Sequence, residues 1–141
     1  MVVLDPDHVT LPEWTEGTES ALLRERLDRL EPTEKAKTII SYEEPTRGWF
    51  SYLAKARTLV GQVDAYRRLH RNLRVYHRIQ VLDFDERAAT KFQRLRQAHR
   101  RIGAMDLKIA SIVIAHDSTR LSKNVRDFSQ VAGPRLEDWT V

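Results

Sequence analysis

Four acidic residues stand beside short apolar segments whose hydrophobic pattern does not require a charge. They are Asp5 in VVLDPDH, Glu44 in ISYEEPTRGW, Asp106 in GAMDLKIAS and Asp127 in SKNVRDF. Mg²⁺ and Mn²⁺ prefer hard oxygen ligands, and a bound cation of this kind can activate water for attack on a phosphodiester. One helix cannot surround an ion, so carboxylates must converge from separate elements. The set therefore indicates a divalent-metal phosphodiesterase site.

Each acid also has a local structural alternative, which the sequence leaves open. The alternatives are a favourable first-turn position for Asp106, a capping box with Ser41 for Glu44, a cap after the first strand for Asp5, and a surface ion pair with Arg126 or Arg135 for Asp127. A carboxylate at the buried start of an apolar helix is costly unless a positive charge meets it. Independent caps explain each acid but not the set.

The chain offers no second set of catalytic residues. It contains no cysteine, which excludes disulfides, thiol catalysis and thiolate zinc sites and fits a reducing, cytoplasmic location. Five histidines have no recognisable zinc spacing, and five glycines form no phosphate-binding loop.

Composition predicts a single globular domain over residues 1–141, since 41% of residues are hydrophobic and 31% are charged. No apolar run approaches the roughly 20 residues that span a bilayer, and Asp5 and Asp7 interrupt any signal peptide, so we expect no membrane association. Arginines concentrate between residues 67 and 101. This basic middle region predicts nucleic-acid binding, with solvated helix faces as the alternative.

Short apolar runs alternate with amphipathic helices along the chain. Strands are predicted at residues 2–4, 38–40, 80–84 and 119–122, and helices at residues 20–30, from Ser41 onwards, at 58–78, after a cap at Asp85, and after Gly103. Residues 125–131 form a short turn, and Pro45 must lie in the first turn of its helix. Such alternation predicts a parallel sheet with helices on both faces. Ligands bind such sheets at the carboxyl ends of strands near a switch point, where Asp5 and Asn124 are expected.

The four windows and the terminal GPRLEDW, in this order and spacing, resemble the VapC-type toxins of the PIN-domain ribonuclease family. The resemblance covers nearly the whole chain and is weakest between residues 13 and 37. It implies an α/β/α sandwich with a central, mostly parallel sheet, and an endoribonuclease that uses Mg²⁺ or Mn²⁺. It also implies a VapB-type antitoxin partner, a homodimer and an RNA substrate, with tRNA the suggested target.

The resemblance assigns the site residue by residue. Asp5, Glu44, Asp106 and Asp127 match the family's four acids, with Asn124 as the accompanying polar residue and Ser122 as the small hydroxyl residue of the same loop. Glu44 is preferred to Glu43 because it stands four residues before Gly48 in the E-x-x-x-G pattern. One departure is Pro6, where the family usually has threonine or serine, and this puts metal affinity in doubt.

Three functions follow from these residues. The first is a toxin endoribonuclease, the second a PIN-type RNA-processing nuclease outside any toxin pair, and the third a catalytically weakened member that only binds. Large apolar residues between positions 49 and 76 exceed what a core of this size can absorb. They predict an exposed apolar groove, rimmed with arginines, for an amphipathic antitoxin segment.

Overall fold

A five-stranded sheet forms the centre of the protein, in a computed structural model that describes residues 1–6, 8, 17–131 and 133–141. The strands are β1 (Val2–Leu4), β2 (Lys35–Thr38), β3 (Gln80–Leu82), β4 (Thr119–Leu121) and β5 (Arg135–Glu137). Their order is β3-β2-β1-β4-β5, and every pairing is parallel. The prediction of a mostly parallel sheet is confirmed.

Helices connect the strands and cover both faces of the sheet. They are α1 (Thr18–Asp28), α2 (Ile39–Lys55), α3 (Leu59–His77), α4 (Glu86–Ala98), α5 (Ala104–Ala115) and the short α6 (Val125–Phe128), with a 3₁₀ turn at Pro32–Glu34. Thr58 caps α3 and Asp85 caps α4, each through a side-chain oxygen that accepts a backbone N–H. Among the described residues, no helix is both long and apolar enough to cross a membrane.

Side chains alternate across β1, so neighbouring residues enter different core layers. Val3 packs with the α5 residues Ile109, Ile112 and Val113. Leu4 faces the other way, into a cluster supplied by α1 and α3. The members of that second cluster are Leu4, Leu23, Leu27, Val75, Tyr76 and Leu121. Two core layers on opposite faces confirm the predicted α/β/α sandwich.

The second strand lies three residues earlier than the sequence predicted, and residues 39 and 40 belong to α2 instead. The predicted position followed the apolar pair of isoleucines, but the strand carries two lysines. Lys37 is fully buried, and its ammonium group donates a hydrogen bond to the carbonyl of Val75 and lies over the ring of Tyr76. These contacts allow a charged residue to occupy a buried strand position. A search for apolar runs could not find such a strand.

The start of α2 corrects two further predictions. Its capping box joins Thr38 and Ser41, not Ser41 and Glu44. Pro45 therefore lies inside the helix rather than in its first turn. Proline has no N–H to donate to the carbonyl four residues earlier, and that carbonyl, on Ser41, instead accepts a 2.7 Å hydrogen bond from the hydroxyl of Tyr76.

The end of the chain contains a strand that the sequence did not predict. β5 is only three residues long and pairs with β4 at the edge of the sheet. Leu136 is flanked by two charged residues, Arg135 and Glu137, so no apolar run marks it. The predicted turn at 125–131 contains α6 at its start.

Candidate active site

The sheet order places the carboxyl ends of β1 and β4 side by side. The chain leaves β1 towards β2 on one side, while β4 pairs with β1 on the other, which makes this a topological switch point. The backbone N–H of Asp5 donates to the carbonyl of Leu121 at 2.9 Å and holds the residue after β1 against the end of β4. The structure thus places Asp5 at the edge where open α/β sheets bind ligands.

Asp5 is buried, and a guanidinium group from β4 engages both of its carboxylate oxygens. Nε of Arg120 lies 2.7 Å from Oδ1 of Asp5, and Nη2 lies 3.1 Å from Oδ2. The same Nη2 lies 3.4 Å from Oδ1 of Asp106, while Nη1 lies 3.4 Å from the backbone oxygen of Asp106. The ring of Phe128 stacks against the guanidinium, with 4.0 Å from Cζ to the ring centroid. Two of the four acids therefore converge on one cation.

Asp106 lies in the first turn of α5, where the helix dipole favours a negative charge. The N-cap residue is Gly103, which has no side chain, so no capping box forms here. The carboxylate of Asp106 is also less buried than expected, with 42% of its side chain exposed, against 6% for Asp5. Asp106 is thus accessible from solvent, whereas Asp5 forms the floor of the site.

Glu44 shares an open cleft of about 610 Å³ with Asp106. The cleft is lined by Glu44, Arg47, Gly48, Ser51, Met105 and Asp106. Glu43 instead forms an ion pair with Arg47 and lines a separate groove that also contains Ile39 and Phe50. Since Glu44 is exposed and the capping box lies elsewhere, capping does not account for it. The two neighbouring glutamates therefore line different clefts.

The loop after β4 brings in the remaining predicted residues. Ser122 is buried, and its Oγ accepts a hydrogen bond from the backbone N–H of Asn124 at 3.0 Å. Asn124 is exposed and precedes α6 as its N-cap residue. Asp127 belongs to α6, but its side chain lies outside what the structure describes. Arg135, one alternative partner proposed for Asp127, lies beside Asp117 at 3.5 Å.

The donor chemistry of this site fits Mg²⁺ or Mn²⁺, because the converging groups are carboxylate oxygens. Among the side chains that the structure describes, which do not include that of Asp127, no three from His, Cys, Asp or Glu are gathered closely enough to hold a metal ion. Asp5 and Asp106 are brought together, Glu44 faces Asp106 across the cleft, and Arg120 lies between the first two. A cation at Asp5 must share that carboxylate with the guanidinium.

Sequence reasoning missed Arg120. In parallel pairing, Arg120 is in register with Val3 of β1, so it shares the core face with α5. It is 1% exposed, at a position where a buried parallel strand normally carries an apolar residue. The sequence did contain a signal for it. Arg120 is a charged residue within a predicted buried strand, two residues before Ser122.

The arginine-rich helices lie on opposite faces of the sheet, since α3 packs in the layer of Leu4 and α4 in the layer of Val3. Their exposed cations are Arg67, Arg68, Arg71, Arg74 and Arg78 on or directly after α3, and Arg94, Arg96, Arg100 and Arg101 on or after α4. In the middle of α3, Arg68 lies over the rings of Trp49 and Tyr52, at 5.5 and 5.3 Å. A hydrogen bond from Tyr52 and the charge of Arg68 hold the pKa of the Asp64 carboxyl below its usual value.

Several solved structures with the same fold are complexes. The DNA-bound VapBC structure from Salmonella typhimurium shares 24% identity, covers 98% of this chain and 97% of the matched chain, and gives a TM-score of 0.75. VapBC-1 from nontypeable Haemophilus influenzae shares 19% identity with complete coverage of both chains and a TM-score of 0.77. A toxin-antitoxin complex from Klebsiella pneumoniae shares 15%, covers 97% and 96%, and gives 0.67. No curated protein sequence matches significantly.

The family model of the PIN domain matches residues 20–134. The matched range contains Glu44, Asp106 and Asp127, and it begins after Asp5. Because it spans well over half of the sequence, together with a parallel sheet whose strand ends gather acids, the chain belongs to the PIN-domain family.

Proposed function

We propose that this chain is a Mg²⁺- or Mn²⁺-dependent endoribonuclease and the toxin of a type II toxin–antitoxin pair. Membership of the PIN-domain family supports a nuclease. The observation that carries the proposal is the convergence of Asp5 and Asp106 on one point at the switch of the sheet. Glu44 shares the open cleft with Asp106, which gives a substrate access to the acids.

Asp5, Glu44, Asp106 and Asp127 are the residues that we assign to holding the cation, directly or through water. When bound, a divalent cation would supply charge stabilisation to the phosphoryl oxygens and the leaving oxyanion. The chain itself positions the reaction. Buried Asp5 is fixed by the sheet, whereas exposed Glu44 can orient a water molecule and accept its proton as the water oxygen bonds to phosphorus. The P–O bond to the leaving group then breaks. Ser122 shapes the loop that carries Asn124.

We further propose that the basic middle region, through exposed arginines of α3 and α4, holds the RNA backbone. Lysine and arginine contacts with phosphates release counterions, so binding should weaken steeply as salt rises. tRNA is the substrate class that we expect, and the cytoplasm is the compartment where the protein would meet it.

The antitoxin is assigned to the hairpin of α2 and α3. These helices pack together, and the hairpin leaves Leu59, Val60 and Tyr66 more than half exposed beside Arg67 and Arg68. Exposed apolar groups next to cations suit an amphipathic segment that carries acids. The VapBC and toxin-antitoxin complexes with this fold support such a partner. We also expect a homodimer, which light scattering would detect.

The direct test is cleavage of RNA by the purified protein. We expect cleavage of tRNA with Mg²⁺ or Mn²⁺ and its loss with a chelator, followed by recovery when Mn²⁺ is added back. Undiminished cleavage in excess EDTA would contradict the proposed chemistry. Sequencing of the RNA ends from cells that express the protein would identify the target.

Two observations favour a second candidate, a weakened PIN domain that binds nucleic acid or antitoxin without cutting. Arg120 engages both oxygens of Asp5, and Pro6 stands where a hydroxyl residue is usual. Tight, salt-sensitive RNA binding with no cleavage at any Mn²⁺ concentration would favour it. For an RNA-processing nuclease, the discriminating observation is a genome that has no small antitoxin reading frame directly upstream.

A further inference from the structure

Arg120 stands at a core position of β4. Its register partner Val3 packs on Ile109, Ile112 and Val113, yet Arg120 itself contacts Asp5, Asp106 and Phe128. The charge is therefore held at the boundary between the apolar core and the acid site. A lone buried charge is very costly, so the pair with Asp5 is what allows this residue to remain here.

The geometry makes this cation a strong and permanent partner of Asp5. The guanidinium fork meets the carboxylate with two hydrogen bonds, of 2.7 and 3.1 Å, which is the bidentate arrangement. Arginine does not lose its proton in proteins, so the positive charge beside Asp5 is permanent. Stacking on Phe128 and the contacts with Asp106 fix the plane of the group from two further sides.

We infer that Arg120 is an internal counter-cation that competes with the divalent metal for Asp5 and so sets a weak metal affinity for this site. The inference rests on the proposed function, since it presumes that the acids hold a cation. The physical basis is twofold. The guanidinium engages both oxygens of Asp5, and a fixed positive charge within a few ångströms repels a second cation. Asp106, with its half-exposed carboxylate, is left as the principal entry point for metal.

The test is a titration of the whole 141-residue chain with Mn²⁺. Calorimetry and electron paramagnetic resonance would each measure the affinity. Arg120→Leu restores an apolar strand residue, and Arg120→Gln keeps a hydrogen-bond donor but removes the charge. Both variants should bind Mn²⁺ at least about tenfold more tightly than the wild type, because a unit charge beside the site is gone. Their melting temperatures should also rise more on Mn²⁺ addition.

Lys37→Met is the matched control. Lys37 is equally buried and lies in the same sheet, but its contacts are with Val75 and Tyr76 on the opposite face. Its loss should leave the Mn²⁺ affinity within about twofold of the wild type, since its ammonium group is held by the Val75 carbonyl and the Tyr76 ring on the other face of the sheet. Tightening by Lys37→Met equal to that of Arg120→Gln would overturn the inference, because the effect would then be one of net charge.

Unchanged or weaker Mn²⁺ binding by Arg120→Gln would also overturn the inference. If either variant folds only when Mn²⁺ is present, the ion has replaced the guanidinium at Asp5, which supports it. If neither folds even with Mn²⁺, Arg120 is purely structural and the inference fails. The inference on Arg120 is thus tested by Mn²⁺ binding and folding. The proposed nuclease function is tested separately, by RNA cleavage.

Discussion

The acid site and the α2–α3 hairpin invert the usual distribution of side chains in opposite directions. At the acid site, charged residues are buried, with Arg120 at 1% and Asp5 at 5% exposure. On the hairpin, apolar residues are exposed, with Leu59 at 79% and Val60 at 82%. Each arrangement costs free energy on folding, through desolvation of charge in one region and hydration of apolar surface in the other.

The two regions differ in how that cost is offset. At the acid site, the bidentate pair offsets the burial of both charges within the chain itself. On the hairpin, the described residues leave the apolar side chains facing solvent, which is typical of a surface that another molecule covers. The comparison agrees with the proposed function, in which the first region carries out chemistry and the second recognises a partner.

The largest expected effect is on cleavage. Asp106→Asn keeps the size of the side chain but removes its charge, and we expect RNA cleavage to fall by about 10²- to 10⁴-fold, the range typical for loss of a catalytic acid or base. Asp117→Asn is the control, since that side chain is fully exposed and pairs with Arg135, not with a residue of the acid site. The measurement is the initial rate of cleavage with Mn²⁺. Equal losses of rate in both variants would contradict a specific role for the acid site.

The next effect is on stability at the acid site. Asp5→Ala leaves Arg120 buried without its main partner, and the free energy of unfolding should fall by about 3–5 kcal/mol. The double variant Asp5→Ala with Arg120→Leu should recover much of this loss, because an apolar pair replaces the broken ion pair. Urea unfolding of both proteins measures the difference. A double variant as unstable as the single one would mean that the pair is not what offsets the burial.

A smaller effect concerns the joint between α2 and α3. Tyr76→Phe removes the donor that satisfies the Ser41 carbonyl opposite Pro45, and it should lower the free energy of unfolding by about 1–3 kcal/mol. Burial raises the pKa of the Tyr76 hydroxyl well above its ordinary value, so the group stays protonated and keeps donating. Tyr66→Phe is the matched control on the exposed side of α3 and should change stability by less than about 0.5 kcal/mol.

The smallest effect on folding is expected on the hairpin. Val60→Ser should change the free energy of unfolding by less than about 0.5 kcal/mol, whereas Leu23→Ala in the core should cost about 2–5 kcal/mol. Co-expression with the antitoxin of the proposed pair should nevertheless give a weaker complex for Val60→Ser than for the wild type. An unaffected complex would move the antitoxin site away from this end of the hairpin.

Much of the fold was readable because several elements have unambiguous patterns. The apolar run of β1, the amphipathic pattern of residues 58–78 and the apolar stretch after Gly103 each predicted the element that the structure contains. The position of β2 was wrong because Lys37 is buried in it, and β5 was missed because Leu136 stands alone between two charges. Burial of a charge depends on partners distant in sequence, which a local pattern does not contain.

The site, like the fold, was predictable from the sequence only in part. Spacing selected Glu44 over Glu43, and the structure puts only Glu44 in the cleft with Asp106. The expectation that carboxylates converge from separate elements did not identify the cation between them, because Arg120 lies 115 residues from Asp5 along the chain and meets it only through the β1–β4 pairing.

The most direct test of the central claim, that the cleft-facing acids carry out the cleavage, compares the two adjacent glutamates. RNA cleavage rates with Mn²⁺ should fall by about 10²- to 10⁴-fold for Glu44→Gln and stay within about twofold of the wild type for Glu43→Gln, which loses only an exposed ion pair with Arg47. Circular dichroism should show both variants folded. Cleavage that survives Glu44→Gln, or that is lost equally in Glu43→Gln, would contradict the assignment of the chemistry to this cleft.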